Sequence, residues 1–363
     1  MKKYLVFGIS TQFGGVESFL LNYIGEMMDS ENRFEFILFE KVPRFFEESY
    51  LNKCKYYIVP TRTKHPMEYR RKLSEIVKNG NYDILWYNAC TLSDITLVKI
   101  ANKYRVPCRI IHSHSSANMG SKLVGILHNI HKRNIEKYIT EAFACSAEAG
   151  GFMFPKKVNN ITIINNAIQA QKYEYNEKVR KKVRDELKIE NEILIGHVGR
   201  FHQTKNHVLI IKIFAEILKL NPSAKLVLVG DGNTKENIIQ LAKEQKVFDN
   251  IYFLGKRMDV NELLQGMDIF LFPSLFEGLA VSLVEAQAAD LPCVISDTIS
   301  KSTILTEKIV ALSLDDAPEK WAKVVLEYTG KWKRKDRLAL IEEKGFDIKE
   351  NAGKLKKYLN TKY

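Results

Sequence analysis

Short apolar runs alternate along this chain with longer stretches whose apolar residues recur at helical spacing. The run Tyr4-Leu5-Val6-Phe7 predicts a strand, a glycine-bearing turn follows, and residues 16–28 predict an amphipathic helix. Further strands are predicted at 34–39, 83–87, 109–112 and 142–145. The pattern blurs between Asn165 and Ile189, then restarts with strands predicted at 193–198, 225–229, 251–254, 268–272 and 293–295. Strands that alternate with helices argue for parallel sheets covered on both faces. The expected fold class is therefore α/β, with two doubly wound Rossmann-like domains in tandem. Ligands of such sheets bind beyond the carboxyl ends of the strands, so the expected site is the cleft across which the two domains face each other.

Composition narrows the class without changing this picture. A chain of 363 residues with 45% hydrophobic and 27% charged residues is ordinary globular material, neither disordered nor collagen-like. No apolar run reaches the ~18 residues of a membrane-spanning helix, and the opening apolar run is too short for a signal peptide. A cytoplasmic protein is expected. Cys54, Cys90, Cys108, Cys145 and Cys293 are odd in number and lack a C-x-x-C pair, which fits reduced thiols better than disulfides or zinc. The net charge of +12 calls for an anionic partner. Residues 1–168 are +8, residues 169–330 are −2 and residues 331–363 are +6. The basic run Lys178 to Arg184 reads as a solvated helix face.

Four short constellations carry candidate chemistry. After the predicted strand ending at Phe272, Glu277-Gly278-Leu279-Ala280 leads into a helix bearing Glu285. Two carboxylates about 12 Å apart along a helix suit the two ends of an elongated ligand, and the amides of Gly278, Leu279 and Ala280 between them suit an anion. A ligand with hydroxyls at both ends and phosphate in the middle is a nucleotide-sugar. After residue 198, Gly199-Arg200 is followed by Lys205, a forked and a point-like cation able to clamp a diphosphate. Near the amino terminus, Gly14-Gly15-Val16-Glu17 allows close backbone approach to phosphate or sugar, without the nicotinamide fingerprint. Finally His112-Ser113-His114 follows a strand, where alternation turns one imidazole inward and the other toward the cleft. No carboxylate or cysteine pattern completes a metal site around them. D-x-D, the phosphate-loop motif and the nucleophile elbow are all absent from the sequence.

Taken together and in this order, these motifs resemble the retaining glycosyltransferase family 4 of the GT-B fold, over nearly the whole chain. Gly230-Asp231-Gly232 is similar to that family's second-domain turn, and Glu277 to Glu285 to its E-x7-E signature. The segments Ala144 to Gly150 and Pro273 to Leu279 resemble the bacterial capsule and exopolysaccharide branch. The resemblance implies a hexosyltransferase-type enzyme that moves a sugar from a nucleotide diphosphate, UDP favoured, to a glycan or lipid-linked acceptor. It implies that Arg200 and Lys205 neutralise the departing diphosphate in place of a metal, with no cofactor. Glu285 would hold the ribose hydroxyls, and Glu277 the donor sugar near its reacting face. Gly14, Gly15, Gly278, Leu279 and Ala280 would complete the donor site. His114, with His112 as the alternative, would bind the sugar or orient the acceptor, and Glu17 would lie on the acceptor side. Retention is described for this family as same-face substitution, so no nucleophile is assigned. Two departures stand out: Ala280 replaces a frequent Pro or Gly, and Asn165-Asn166-Ala167-Ile168 replaces Asn-Gly-Ile-Asp.

The expected domains are 1–168 on the acceptor side and 169–335 on the nucleotide-sugar side, with helices in 336–363 crossing back onto the first. Counting all of residues 331–363 with that return would put +14 on the acceptor lobe and −2 on the other, favouring an anionic membrane surface or lipid diphosphate over nucleic acid and placing the protein at the inner face of the cell membrane. A nucleotide-sugar epimerase on the same fold is the alternative within enzymes. A basic nucleic-acid-binding protein is the alternative outside them, weakened by the absence of any recognised motif.

Overall fold

The computed structural model of the chain describes every residue except Gln12, Phe13, Met119 and Gly278. It divides into two compact units, Met1–Ala167 with Ile348–Tyr363, and Ile168–Asp347. The first unit holds β1 (Lys2–Phe7), β2 (Asn32–Phe39), β3 (Lys55–Val59), β4 (Ile84–Ala89), β5 (Cys108–Ser113), β6 (Glu141–Ala144) and β7 (Ile161–Ile163). Their order across the sheet is β3-β2-β1-β4-β5-β6-β7, with parallel pairing throughout. Tyr4 and Val6 of β1 enter one core with Phe19 and Trp86, while Leu5 and Phe7 enter the other with Leu73 and Leu85. Burial on both faces is why β1 reads as an unbroken apolar run.

The second unit repeats the arrangement with β8 (Leu194–Val198), β9 (Lys225–Val229), β10 (Ile251–Gly255), β11 (Ile269–Phe272), β12 (Cys293–Ser296) and β13 (Ile309–Leu312). The order is β10-β9-β8-β11-β12-β13, again all parallel. In each sheet the strand order reverses once, between β1 and β4 and between β8 and β11. Such switch points open a crevice beyond the strand ends. They decide where the candidate chemistry can lie.

Three strands have no counterpart in the sequence pattern: β3, β7 and β13. All three are sheet edges. An edge strand buries less, and β3 shows it, with Tyr56 and Ile58 exposed. A second correction concerns the basic run. Arg184 of helix Glu177–Glu186 is buried, its Nη1 3.1 Å from Asp268 Oδ2, and Arg180 Nη2 lies 2.5 Å from Asp268 Oδ1. Lys178, Lys181 and Lys182 of the same run face water as expected. Two of the arginines therefore bolt this helix to the segment entering β11.

The end of the chain also differs from expectation. Helix Ile348–Lys362 packs on helix Gly15–Met27 and places Ile348, Ala352, Leu355 and Leu359 in the first unit's core. Tyr358 donates to Glu141 at 2.9 Å, and Lys362 Nζ sits 2.5 Å from the same carboxylate. Residues 336–347, expected to return with that helix, stay in the second unit. Arg337 is buried there 2.6 Å from Asp290, and Ile341 and Phe346 belong to its core. With these boundaries the first unit carries 28 Lys/Arg against 16 Asp/Glu and the second 27 against 27. The whole +12 sits on the first unit.

Asp290 is the hinge-pin of this assignment. Its side chain is wholly buried, 2.7 Å from Lys308 Nζ and 2.6 Å from Arg337 Nε. Its backbone is left-handed, at φ +54, a conformation asparagine tolerates well. Asp290→Asn therefore keeps the backbone and removes the charge that two buried cations share. A loss of about 3–5 kcal/mol is expected, read as a lowered midpoint of urea unfolding for the second unit.

Candidate active site

In the second unit the loops that leave β8 and β11 meet at the switch point. Beyond Val198 the chain turns through Gly199 and Arg200 into a short 3-10 turn, Gln203–Lys205, which ends at Asn206 in the left-handed region. The turn after β9 backs this loop: Gly199 N–H donates to Val229 O at 2.9 Å and Phe201 N–H to Asp231 O at 3.0 Å. Gly230 stands at φ +142, and a Cβ there would lie 2.0 Å from the Gly199 carbonyl oxygen. Only glycine fits. The Gly230-Asp231-Gly232 turn is thus a support for the Arg200 loop.

The β11 loop is tied in by Leu275 N–H, which donates to Thr204 O at 2.8 Å. The stronger tie is ionic. Lys205 Nζ lies 2.7 Å from Glu277 Oε1, with only 17% and 12% of the two side chains exposed. The contact is one of charge, since Glu277 Oε1 lacks an aligned hydrogen bond among the described residues. Lys205 also stands 4.8 Å over the Phe272 ring. Two residues singled out separately in the sequence are therefore partners. Arg200 is exposed and, among the described residues, has no ion-pair partner.

Beneath this loop lie two buried imidazoles that the sequence pattern did not flag, 4.8 Å apart between ring centres. His197 Nδ1 donates to Leu271 O at 2.9 Å, and His207 stacks on Phe201 at 4.1 Å. Burial pushes the His207 pKa down to about 4 and that of His197 well below the ordinary value. Both are neutral at pH 7, so the floor of the loop adds no charge to Arg200 and Lys205 above it.

Helix Val281–Ala288 starts four residues after Glu277, so Glu277 belongs to the loop and the expected 12 Å helical spacing does not hold. The helix cap is Ala280, buried in the core, and Leu279 packs against the same core. Only their backbones are left for a ligand. Gly278 lies outside the described residues. Glu285 Oε1 accepts from Tyr173 Oη at 2.7 Å, and burial raises its pKa to about 7 against the lowering effect of that bond. Tyr173 lies 112 positions upstream in the stretch where the pattern blurs, and no motif marks it.

The first unit brings a different set together at its own switch point. Gly8 follows β1 at φ +98, and a Cβ there would sit 1.8 Å from Asn88 O at the end of β4. Asn88 Nδ2 donates to Phe7 O at 3.3 Å, and its Oδ1 accepts from His114 Nε2 at 2.9 Å. Gly8 and Asn88 are site residues the sequence reading missed. His114 is half-buried, its Nδ1 has no partner among the described residues, and burial lowers its pKa to about 3. At pH 7 it is a neutral hydrogen-bonding group.

His112 takes the inward direction. It is wholly buried, with Phe19 edge-on at 4.7 Å and Trp86 stacked at 6.3 Å. With no exposed face it is a core residue and not an acceptor contact. Glu17 is corrected in the same way: it is 4% exposed and accepts from Ser10 N–H at 2.8 Å, fixing the β1 loop. Gly14 caps helix Gly15–Met27 from an extended backbone, and both Gly14 and Gly15 are exposed. Among the described residues a Cβ at Gly14 would meet Glu17 Oε2, at 3.3 Å, and one at Gly15 nothing within 4 Å. Among the described residues no group of three or more His, Cys, Asp or Glu is placed to hold a metal.

Residues 179–343, nearly all of the second unit, match the family described as Glycosyl transferases group 1. EpsF of Bacillus subtilis is 29% identical over 358 residues, covering 94% of this chain and 92% of that protein. The capsular polysaccharide biosynthesis glycosyltransferase CapH of Staphylococcus aureus is 24% identical, covering 80% of each. HepE of Anabaena, solved in complex with UDP and glucose, superposes with a TM-score of 0.72 at 16% identity over 99% of this chain and 97% of its own. The fold is that of the GT-B glycosyltransferases. The family match and the named relatives support a glycosyltransferase in polysaccharide biosynthesis.

Glu285 supplies a pH test. Its folded pKa of about 7 stands above the ~4.3 of an unperturbed glutamate. The folded chain thus holds a proton that the unfolded chain has lost between those values. Stability from this group is complete below the unfolded value and is lost as the pH rises through about 7. Glu285→Gln is expected to raise the melting temperature at pH 8 and to change it least at pH 4.

Proposed function

We propose that the protein is a retaining, metal-independent hexosyltransferase that moves a sugar from UDP to a glycan or lipid-linked oligosaccharide of a surface polysaccharide. One observation carries the reading: Arg200 and Lys205 share a rigid loop at the switch point of the second sheet, and that loop is clamped to Glu277. A diphosphate arriving there meets the guanidinium of Arg200 free to fork onto two oxygens and the ammonium of Lys205 already held in place. Glu285 accepts from the ribose hydroxyls, and Glu277 from those of the sugar. The amides of Leu279 and Ala280, which among the described residues have no backbone acceptor, are available to phosphate oxygens. Gly14 and Gly15, exposed at the start of the first unit's helix Gly15–Met27, suit a phosphate or sugar on that unit.

In the step itself the bond between the anomeric carbon and the diphosphate oxygen breaks. The acceptor oxygen bonds to that carbon on the same face, and its proton passes to the departing phosphate. The electron pair stays on the diphosphate, where Arg200 and Lys205 stabilise it. His114, neutral and oriented by Asn88, serves as a hydrogen-bonding group for sugar or acceptor. It does not serve as a cation.

Thermal stabilisation across a panel of nucleotide-sugars tests this directly. UDP-sugars are expected to raise the melting temperature of the wild type, and Arg200→Ala to weaken binding by about 10- to 100-fold, the worth of a hydrogen bond to a charged group. Release of UDP should require added acceptor and persist in a chelator. Absence of any stabilisation, or its survival in Arg200→Ala, overturns the assignment.

A further inference from the structure

Helix Lys122–Lys132 in the first unit is built inside out. Its five aliphatic residues are Leu123, Val124, Ile126, Leu127 and Ile130, and none joins a hydrophobic core of the unit. Leu123, Ile126 and Ile130 are exposed at 64%, 56% and 52%. At 100° per residue they fall on one stripe, the arrangement by which a helix normally faces a core.

Polar side chains hold the helix to the protein instead. His128 is 2% exposed: its Nδ1 accepts from Leu92 N–H at 3.0 Å, its Nε2 donates to Phe152 O at 3.2 Å, and its ring stacks on Phe152. His131 Nδ1 donates to Leu92 O at 2.6 Å. Lys132 Nζ donates to Gly151 O at 2.7 Å and to Phe152 O at 2.6 Å. Ser121 caps the start, accepting from Val124 N–H at 3.4 Å. The helix is therefore fixed in place with its apolar stripe turned outward. Scattered exposed aliphatics need no explanation, but a contiguous stripe on a fixed helix marks a docking surface.

Charge identifies the occupant. Exposed Lys122 and Arg133 fall at the margin of the stripe. From Ile95 to Ile135, 41 consecutive residues contain seven Lys/Arg and not one Asp or Glu. A second copy of the chain would bring the same unrelieved positive segment against itself. An aliphatic stripe edged by cations is the pattern of a helix that lies in the headgroup layer of an anionic bilayer.

We propose that helix Lys122–Lys132 docks the first unit on an anionic lipid surface, with Leu123, Ile126 and Ile130 entering the acyl boundary and Lys122 and Arg133 meeting lipid phosphates. The proposal rests on the reading of a transferase whose acceptor is carried by a membrane lipid, and gives that reading a point of attachment. The full-length chain is tested by co-sedimentation with phosphatidylcholine vesicles, with and without phosphatidylglycerol. Salt-sensitive binding to the phosphatidylglycerol vesicles alone is expected. Leu123→Ser/Ile126→Ser/Ile130→Ser is expected to weaken it by at least ~10-fold, and Lys122→Glu/Arg133→Glu to abolish its salt dependence. Both variants should keep the wild-type melting temperature and its shift with UDP, which separates failure of docking from failure of the transferase reading. Wild-type protein that stays in solution with both vesicles overturns the proposal. So does binding unchanged in the triple serine variant, or a wild-type dimer by light scattering that this variant dissolves into monomers.

Discussion

The ion pair between Lys205 and Glu277 is the contact that holds the second unit's switch-point loops together. Each residue closes a loop leaving a different strand of the same sheet, and the strands in question flank the point where the order reverses. A carboxylate and an ammonium so far withdrawn from water hold each other because either one alone would be an uncompensated charge. The pair also sets the electrostatics of the crevice. With Glu277 balancing Lys205 and the two imidazoles beneath kept neutral by burial, the net positive charge of the loop comes from Arg200. An anion entering the crevice gives Lys205 a second partner at little cost, because the ammonium has already been desolvated and positioned. The backing turn at Gly230 serves this arrangement by leaving the Arg200 loop no room to retreat.

The sequence discloses this arrangement unevenly. Inner strands were legible because burial on both faces writes an apolar run such as residues 225–229, where expectation and structure coincide. Three of the four edges, β3, β7 and β13, were not, because they bury too little to leave that trace, whereas the fourth, β10, keeps the apolar run at 251–254. The charged motifs were legible as motifs, since Arg200, Lys205, Glu277 and Glu285 stand at recognisable spacings. Their pairings were not. That Lys205 meets Glu277, or that Tyr173 steadies Glu285, follows from which strands neighbour each other, and spacing along one chain does not carry that information. His112 and His114 show the same limit in small. Alternation required one of them to face inward, but only the packing of Phe19 and Trp86 around His112 decides which.

Polar residues buried for structural reasons imitate site residues in sequence. Glu17, in a glycine turn, and Arg184, in a basic run, both look exposed on paper. One ties the β1 loop to Ser10 N–H, and the other fastens a helix to Asp268. Arg184 adds a second cation to the Asp268 carboxylate that Arg180 also holds, and Glu17 fixes a backbone N–H, so both charged side chains lie inside for structural reasons. At the first unit's switch point His114 is held by Asn88, and Gly8 is pressed against the same asparagine.

The overall charge is divided unevenly between the units. All of the +12 belongs to the first unit, yet His114 and Asn88 at its strand ends contribute none of it. A chemical step that needs phosphate neutralised can draw on Arg200 and Lys205 in the second unit, whose net charge is zero. The two anions proposed for this chain match two different distributions of charge. One is compact and met by two placed cations on a rigid loop. The other is extended and met by a lobe-wide excess with an acid-free stretch at residues 95–135. Diffuse charge of the second kind gives little geometric selectivity, but it adds attraction over a wide area, which is what a surface of many headgroups presents and a single substrate does not.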